Sequence, residues 1–272
     1  MDITIKLKYQ ANDTISRIGV VVMMDLTVVI LTKNEENNII EVIKNAYKVT
    51  DKVLIVDSGS TDKTVELSEG NGAKVVYRAW DNDFAAQRNF ALEHVQTEWV
   101  LYLDADERIN YELAEAIKKV MQAPKDAMYR FVRRNSAFGK DFKYGVLSPD
   151  SVLRMFPKDK AKWEGKVHEN PVSNLPVITL KGHLKHYTYV YFEKYLAYMN
   201  MYASIGARNY NEKGKKVSVI KDFVFRPFFA FIKMYILKKG FLEGWLGFVL
   251  CLNYANYTLN KYNILKLLNE EK

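Results

Sequence analysis

The sequence predicts an α/β fold, a mostly parallel central sheet flanked by helices, with a C-terminal helical extension rich in aromatic and basic residues. Two observations predict the sheet. Short apolar, β-branched runs alternate with segments of helical spacing as far as residue 122. Strand–helix alternation implies crossover connections and hence parallel strands with helices on both faces. A third observation marks the extension. Residues 1–180 carry 25 basic and 26 acidic side chains, whereas residues 181–272 carry 15 and 6 and hold 20 of the 36 aromatic residues.

The elements follow in order. Leu26–Leu31 is a continuous apolar run and reads as a buried strand. Asn34 is expected to open a helix, with Ile39, Ile43, Ala46 and Tyr47 on one face and Glu35 and Glu36 at its positive end. Lys52–Asp57 is the second strand, Ser58–Thr61 a polar turn, and Asp62–Gly70 a helix closed by Gly70 and Gly72. Ala73–Tyr77 is a strand, Phe84–His94 a helix, Trp99–Leu103 a strand and Tyr111–Gln122 a helix. Beyond Met128 the pattern changes. Residues 128–133 and 152–156 read as antiparallel strands among loops punctuated by Gly, Pro and Ser. Glu193–Tyr210 is a helix, and residues 222–237 and 241–259 are two more, broken near Gly240.

Composition removes several classes. Hydrophobic residues make up 49% of the chain, which excludes general disorder. The single cysteine, Cys251, excludes an intramolecular disulfide and a Cys-rich zinc module, and it fits a reducing compartment. No secretory signal is evident, and the paired Met23–Met24 mark residues 1–24 as a dispensable extension. The longest charge-free run near the C-terminus, Gly244–Asn260, contains three Asn and reads as too short and too polar to span a bilayer. A cationic, aromatic tail on a neutral body suits an anionic partner. The aromatic residues between Phe223 and Phe248 fit a core or an oligomer interface as well as an in-plane membrane helix, and nucleic acid is disfavoured because no binding motif is present.

Ligands in parallel sheets bind at the carboxyl ends of the strands, where Asp57, Asp104 and Asp106 all fall. Asp104-x-Asp106 places two carboxylates on one irregular turn, suited to Mg²⁺ or Mn²⁺; a solvated turn capping the helix at 111 has the same pattern. Asp57 can accept hydrogen bonds from a base or ribose, or cap the turn that follows it. Arg88 can fork onto a diphosphate or lie exposed on its helix. The His168-Glu169 pair suits general base work on a hydroxyl, or is a polar pair in a loop. His186 is a third metal ligand, a phosphate contact or a structural histidine. The loop Thr32–Glu36 has no glycine, and neither a P-loop nor a G-x-G-x-x-G follows any strand, which counts against triphosphate and dinucleotide sites.

Four of these segments together resemble the family 2 glycosyltransferases of GT-A fold: LTVVILTKNEEN at 26–37, VLIVDSGSTDKT at 53–64, FAAQRNFA at 84–91 and WVLYLDADE at 99–107. GKVHE at 165–169, His186 with its following tyrosines, and 226–247 resemble a narrower group, the β-1,4-glucosyltransferases of lipopolysaccharide core synthesis. The resemblance implies an inverting transfer of a sugar, glucose in that group, from a UDP-sugar to a cell-envelope glycan at the inner face of the cytoplasmic membrane. It divides the chain into a nucleotide-sugar half at 25–125, an acceptor half at 126–220 and membrane-associated helices at 221–272. Carried over by position, Asp57 contacts the base, Glu35 the nucleoside, Arg88 the diphosphate, Asp104 the ribose or the metal, and Asp106 the metal. Glu169 becomes the catalytic base, with Asp150 as fallback. The rival readings are another acceptor (capsule, other surface polymer or peptide), a nucleotidyltransferase, and a membrane-binding scaffold without activity.

Overall fold

The structure is a computed structural model and describes residues 25–81, 83–165 and 169–271. Residues 1–24 and His168, both singled out in the sequence, lie outside the described residues.

The first half runs β1 (Leu26–Thr32), α1 (Ile39–Ala46), β2 (Lys52–Asp57), α2 (Thr64–Gly70), β3 (Lys74–Tyr77), α3 (Phe84–His94) and β4 (Trp99–Tyr102). These are the elements that the alternating pattern predicts, with one difference. The first helix starts at Ile39 instead of Asn34, because Asn34 ties two loops together. Asn34 sits in the left-handed region at φ 57°. Its backbone N–H donates to Ser60 Oγ at 2.9 Å, and its Oδ1 accepts from Thr61 N–H at 2.8 Å. The loops after β1 and β2 are thereby joined above the strand ends.

The second half continues with β5 (Glu107–Ile109), α4 (Tyr111–Gln122), β6 (Met128–Ala137), β7 (Lys140–Asp141), β8 (Asp150–Pro157), β9 (Lys162–Glu164), β10 (Asn170–Val172) and β11 (Val177–Tyr189). The helices α5 (Phe192–Glu212), α6 (Arg226–Ile232) and α7 (Gly244–Glu270) complete the chain. One mixed sheet has the order β3-β2-β1-β4-β8-β6-β11-β5, with β7 paired to β6. β1 is parallel to β2 and to β4, and β2 to β3. β8 is antiparallel to both β4 and β6, so β6 runs the same way as β4. β11 is parallel to β6. Six strands therefore end at one edge, and that edge carries Asp57, Asp104 and Asp106.

Side chains alternate across the sheet. Val28, Ile30, Ile55 and Leu101 face α1 and α4. Val29, Leu54, Val100 and Tyr102 face the other way, toward α3 and Trp163. The strand β11 was not evident in the sequence, since it lacks a clean apolar alternation. Its register against β6 shifts between Thr179 and His183. Gly182, at φ +89°, occupies this irregularity, and a Cβ there would lie 2.2 Å from the backbone N of Leu113. Only glycine fits.

The C-terminal helices form where expected, although π-helical turns at Val219–Phe225 and Lys233–Leu237 flank α6 and α7 runs on to Glu270. Leu250 of α7 packs with Phe142, Leu147 and Tyr195, and Tyr262 and Leu265 pack with Ala207. The turn before α7 presses on the body at Gly240, where a Cβ would meet Cys251 Sγ and Met234 O, each at 2.7 Å. Glu243 fastens this turn. Its carboxylate accepts from the backbone N–H groups of Lys143 at 2.8 Å and Tyr144 at 3.0 Å, and pairs with Lys140 Nζ at 2.7 Å.

Candidate active site

Asp57 ends β2 and is 3% exposed. Its Oδ2 accepts from Gly59 and Ser60 N–H, both at 2.9 Å, and its Oδ1 from Ser60 Oγ at 2.5 Å and Thr32 Oγ at 3.2 Å. The carboxylate holds the turn that shapes the cleft floor. Glu35, in the loop after β1, accepts from Asn38 Nδ2 at 2.7 Å, and its backbone N–H donates to Thr64 Oγ1 at 2.7 Å. Burial, aided by the charges of Asp106 and Asp62, raises its carboxyl above the ordinary value, against the opposing pull of Asn38 and Lys194. Glu35, Asp106 and Lys194 of α5 therefore share one electrostatic neighbourhood.

Arg88 is a buried residue of α3, not an exposed helical arginine. Its Nη2 donates to Asp104 Oδ1 at 2.9 Å and its Nε to Glu169 Oε1 at 3.1 Å. The guanidinium rests 4.7 Å from the Trp163 ring centroid, and Tyr102 Oη donates to the Arg88 carbonyl at 2.7 Å. Packing, cation–π contact and two carboxylates fix its position. One arginine thus joins Asp104 to Glu169, residues predicted separately.

Asp104 also pairs through Oδ2 with Arg154 Nη2. Burial alone would raise the Asp104 carboxyl; Arg154 and Arg88 outweigh it and hold the carboxyl far below the usual range. Arg154 is raised by the same partners, Asp104 and Glu107, against the opposing effect of burial. Glu107 is fully buried. Its Oε1 accepts from Arg154 at 2.8 Å and from Arg133 at 3.4 Å, and its Oε2 accepts from the Asp104 N–H at 3.1 Å. The Glu107 N–H returns a bond to the Asp104 carbonyl at 2.9 Å. These bonds lock the Asp104–Glu107 turn from both sides. Asp150, the fallback base, is held by Arg133 through two bonds of 2.9 and 2.7 Å.

Asp106 points the other way. Its Oδ2 lies 3.2 Å from His186 Nε2, while its carbonyl accepts from the Tyr187 N–H at 2.9 Å. His186 Nδ1 lies 2.8 Å from Asn135 Oδ1. Asn135 spends its amide donors on the carbonyls of Leu147 and Ser148, each at 3.3 Å, so its oxygen must face the histidine. Nδ1 of His186 then carries a hydrogen; in the neutral ring Nε2 turns a lone pair toward the Asp106 carboxylate, and in the protonated ring it donates to it. Two acceptors in contact need a cation, a proton or a metal ion, to hold them together. The residues present therefore fit a divalent cation at Asp106 and His186. Both Asp104 oxygens are taken by arginines, and among the described residues no group of three His, Cys, Asp or Glu side chains is placed to hold a metal.

Cys251 is buried beside the Val146 backbone, and burial pushes its thiol up to about 11, which makes it no nucleophile. The residues that the sequence did not reveal are Arg154, Glu107, Arg133 and Asn135. Arg154 had a signal, a charged residue within the apolar run Val152–Phe156.

Three comparisons bear on this geometry. The model of "Glycosyl transferase family 2" matches residues 27–173, more than half of the chain. A glycosyltransferase of Rickettsia typhi is 28% identical over 240 residues, covering 84% of this chain and 82% of that one. The lipopolysaccharide core biosynthesis glycosyltransferase LpsC of Rhizobium meliloti is 28% identical over 248 residues, covering 86% and 89%. Among solved structures, glucosyl-3-phosphoglycerate synthase of Mycobacterium tuberculosis, with Mn²⁺, UDP and phosphoglyceric acid, overlaps 71% of this chain and 80% of its own, at TM-score 0.44 and 16% identity. That likeness is too distant to inform individual residues. The family match excludes the nucleotidyltransferase reading and agrees with the four sequence segments, the sheet and the strand-end carboxylates. The chain belongs to glycosyl transferase family 2 and has its GT-A-type α/β fold.

Proposed function

We propose that the protein transfers a hexose, glucose by its resemblance, with inversion, from a UDP-sugar to a hydroxyl of a cell-envelope glycan such as lipopolysaccharide core. The observation that carries this reading is the arrangement around Arg88 and Asp106. Asp106, paired with His186 of β11, lies on the same turn as Asp104, and the arginine bound to Asp104 also holds Glu169. In this reading one arginine links the group assigned to the donor with the group assigned as the base.

Asp57 and Glu35 flank the nucleoside, and Asp104, held by two arginines, serves the ribose. Arg88 faces the diphosphate. Asp106 and His186 would hold Mg²⁺ or Mn²⁺, which would supply positive charge beside the diphosphate. Glu169 takes the proton from the acceptor hydroxyl as its oxygen attacks the anomeric carbon from the face opposite the leaving group. The C–O bond to the diphosphate breaks as the new glycosidic bond forms, and UDP departs with the electron pair. No covalent intermediate is needed.

The acceptor is presented at the inner face of the cytoplasmic membrane. The exposed Phe225, Phe228, Phe229, Leu237 and Trp245 of the C-terminal helices, interleaved with exposed Lys221, Lys233, Lys238 and Lys239, support this reading. No helix among the described residues is long and apolar enough to cross a membrane, so contact is by lying on the surface.

Thermal stability against a panel of nucleotide sugars, with Mn²⁺ or with EDTA, tests the donor site. A ligand that binds only the folded state raises stability by RT ln(1 + [L]/Kd). A shift with one UDP-sugar that disappears in EDTA is expected. A shift unaffected by EDTA removes the metal from the reading, and a stronger shift with a GDP- or CDP-sugar replaces the donor.

A further inference from the structure

Three cations converge where α5, α7 and the chain entering α6 pack together. Lys215 Nζ lies 3.9 Å from the Tyr210 ring centroid and 5.1 Å from that of Tyr262. Lys261 Nζ lies 5.2 Å from Tyr210, 5.2 Å from Tyr257 and 5.5 Å from Tyr262. The Arg226 guanidinium rests 5.1 Å from the Tyr262 ring. Tyr262 is buried, whereas the two lysines and Arg226 are partly exposed.

Two glycines put the lysines there. Gly214, at φ 67°, ends α5. The Lys215 N–H returns to the Tyr210 carbonyl at 3.0 Å and the Gly214 N–H to that of Asn211 at 2.9 Å, the pair of bonds that closes a helix through a left-handed residue. That turn folds Lys215 back over Tyr210, where its Nζ donates to Tyr262 Oη at 3.1 Å. Gly206 lies inside α5, a place where glycine is disfavoured. A Cβ on it would stand 3.0 Å from Lys261 Cδ and 3.6 Å from its Cγ, so the bare backbone makes room for the lysine stem.

The positive charge gathered here is not balanced. Asp222, 3% exposed, pairs with Arg226 Nε at 2.5 Å and accepts from the Ser218 N–H at 2.8 Å. Among the described residues neither Lys215 nor Lys261 makes an ion pair, and Lys261 makes no hydrogen bond through its Nζ. Arg88, Arg133 and Arg154, by contrast, all lie on carboxylates. Burial, with the charges of Lys215 and Arg226, lowers the Lys261 ammonium from the ordinary lysine value. Ring faces attract these cations but bring no counter-charge. Folding thus holds two ammonium groups together against their repulsion.

Their complement is a compact dianion. A phosphate monoester carries about −1.5 to −2 charge near neutral pH and three acceptor oxygens, whereas a carboxylate carries a single charge. The position is remote from the sugar-transfer cleft. Tyr210 stands sixteen residues beyond Lys194, whose charge reaches Glu35, which is roughly 24 Å along α5. Exposed Val219, Ile220, Val224 and Phe225 lie on the chain that joins Lys215 to Arg226.

We propose that Lys215 and Lys261, backed by Arg226, form a binding site for a phosphate monoester, separate from the donor cleft. Its source is either a lipid headgroup, which the neighbouring apolar side chains suit, or a soluble phosphate ester.

Glycerol 3-phosphate and phosphatidic acid carry the same phosphate group without and with lipid tails. Full-length protein is titrated with glycerol 3-phosphate by melting temperature, and with phosphatidylcholine vesicles containing phosphatidic acid by flotation. Both are done at fixed ionic strength in EDTA without nucleotide. Wild type is expected to bind at least one of the two. Lys261→Met and Lys215→Gln are each expected to weaken that binding about tenfold, the worth of one charge-assisted hydrogen bond. Lys216→Gln removes the same charge from an exposed neighbour and is expected to change binding by less than about twofold. Without ligand, Lys261→Met should melt no lower than wild type, since a repelled charge goes and its stem stays; if it does melt lower, Lys215→Gln decides. Binding of glycerol 3-phosphate assigns a soluble ester, and binding of phosphatidic acid vesicles alone assigns a lipid. No binding of either probe by wild type, retained binding in Lys215→Gln or in a stable Lys261→Met, or an equal loss in Lys216→Gln overturns the site. Turnover does not enter the readout, so the result is independent of the nucleotide-sugar panel.

Discussion

Arg154 shows how much one buried side chain governs this site. It is 4% exposed and pairs with both Asp104 and Glu107, so replacing it strips a buried partner from two carboxylates and leaves Asp104 to Arg88 and Glu107 to Arg133. Removing one member of a buried pair costs about 3–5 kcal/mol. Arg154→Met is expected to lower the unfolding free energy by about 3 kcal/mol in urea titrations. The pH dependence follows from Asp104, whose folded carboxyl lies far below its unfolded value. Its contribution is complete above the ordinary carboxylate range, about pH 4, and is lost as pH falls toward the folded value. Wild-type stability is therefore expected to decline on acidification below about pH 4, and in Arg154→Met that decline flattens. Asp106→Asn behaves differently, because its side chain is 36% exposed and its turn is held by backbone bonds and Glu107. Turnover should fall by about 10²-fold or more with the melting temperature nearly unchanged, and near-wild-type turnover would remove Asp106 from the reaction. At this scale the positions of Asp57, Asp104 and Asp106 at one edge of the sheet were legible because each follows an apolar strand run, whereas the Arg88–Asp104 pair was not. Arg154 was not, because its partners come within reach only when β8 inserts between β4 and β6. With Arg154 unseen, nothing in the sequence indicated that both Asp104 oxygens bond to arginines.

Among the elements, legibility tracked local patterning. β1, β2 and β4 announced themselves as unbroken apolar runs, and α1 by the spacing of Ile39, Ile43 and Ala46, all buried. The start of α1 was misplaced because Asn34, a good capping residue, bonds instead to Ser60 and Thr61 on a loop 26 residues away. β11 escaped notice because Lys181, His183, Lys185 and Tyr187 interrupt its apolar positions. Its position depends on the irregularity at Gly182. Gly182→Ala combines a left-handed φ with a Cβ at 2.2 Å from Leu113 N and 2.6 Å from Leu113 Cα, neither of which can yield as a side chain does. Destabilisation of about 2–4 kcal/mol is expected from the strain and the clash together. Because α4 and β11 must separate to relieve it, Mn²⁺-dependent stabilisation by UDP should weaken too. Unchanged unfolding free energy would show that the irregularity is not needed.

Across the whole molecule, charge and apolar surface are distributed unequally. The sequence already showed the cationic, aromatic last third, and the structure puts its large apolar side chains on the outside, with Trp245 at 74% exposed. It also shows why truncation is a poor probe: Leu250, Tyr262 and Leu265 are core residues, and Glu243 fastens the preceding turn to the body. Point changes on the exposed face are cleaner. Phe228→Ser with Phe229→Ser is expected to reduce co-sedimentation with phosphatidylglycerol vesicles by about tenfold, and wild type should ignore phosphatidylcholine vesicles at raised salt. Retained binding by the double variant would move the contact elsewhere, and a dimer that dissociates on the same substitutions would assign the face to a second copy of the chain.

The strand β11 turns consecutive residues to different neighbours. His186 meets Asp106, and Tyr187 and Tyr189 line a cavity where β6 and β11 end. Sliding a strand by one residue turns every side chain to the opposite face. Side chains along this strand can therefore be exchanged one for one, while a single inserted or deleted codon between Gly182 and His186 would carry the histidine away from its carboxylate. Length changes are expected to collect in the surface turns around this strand, and drift within it to be confined to substitution.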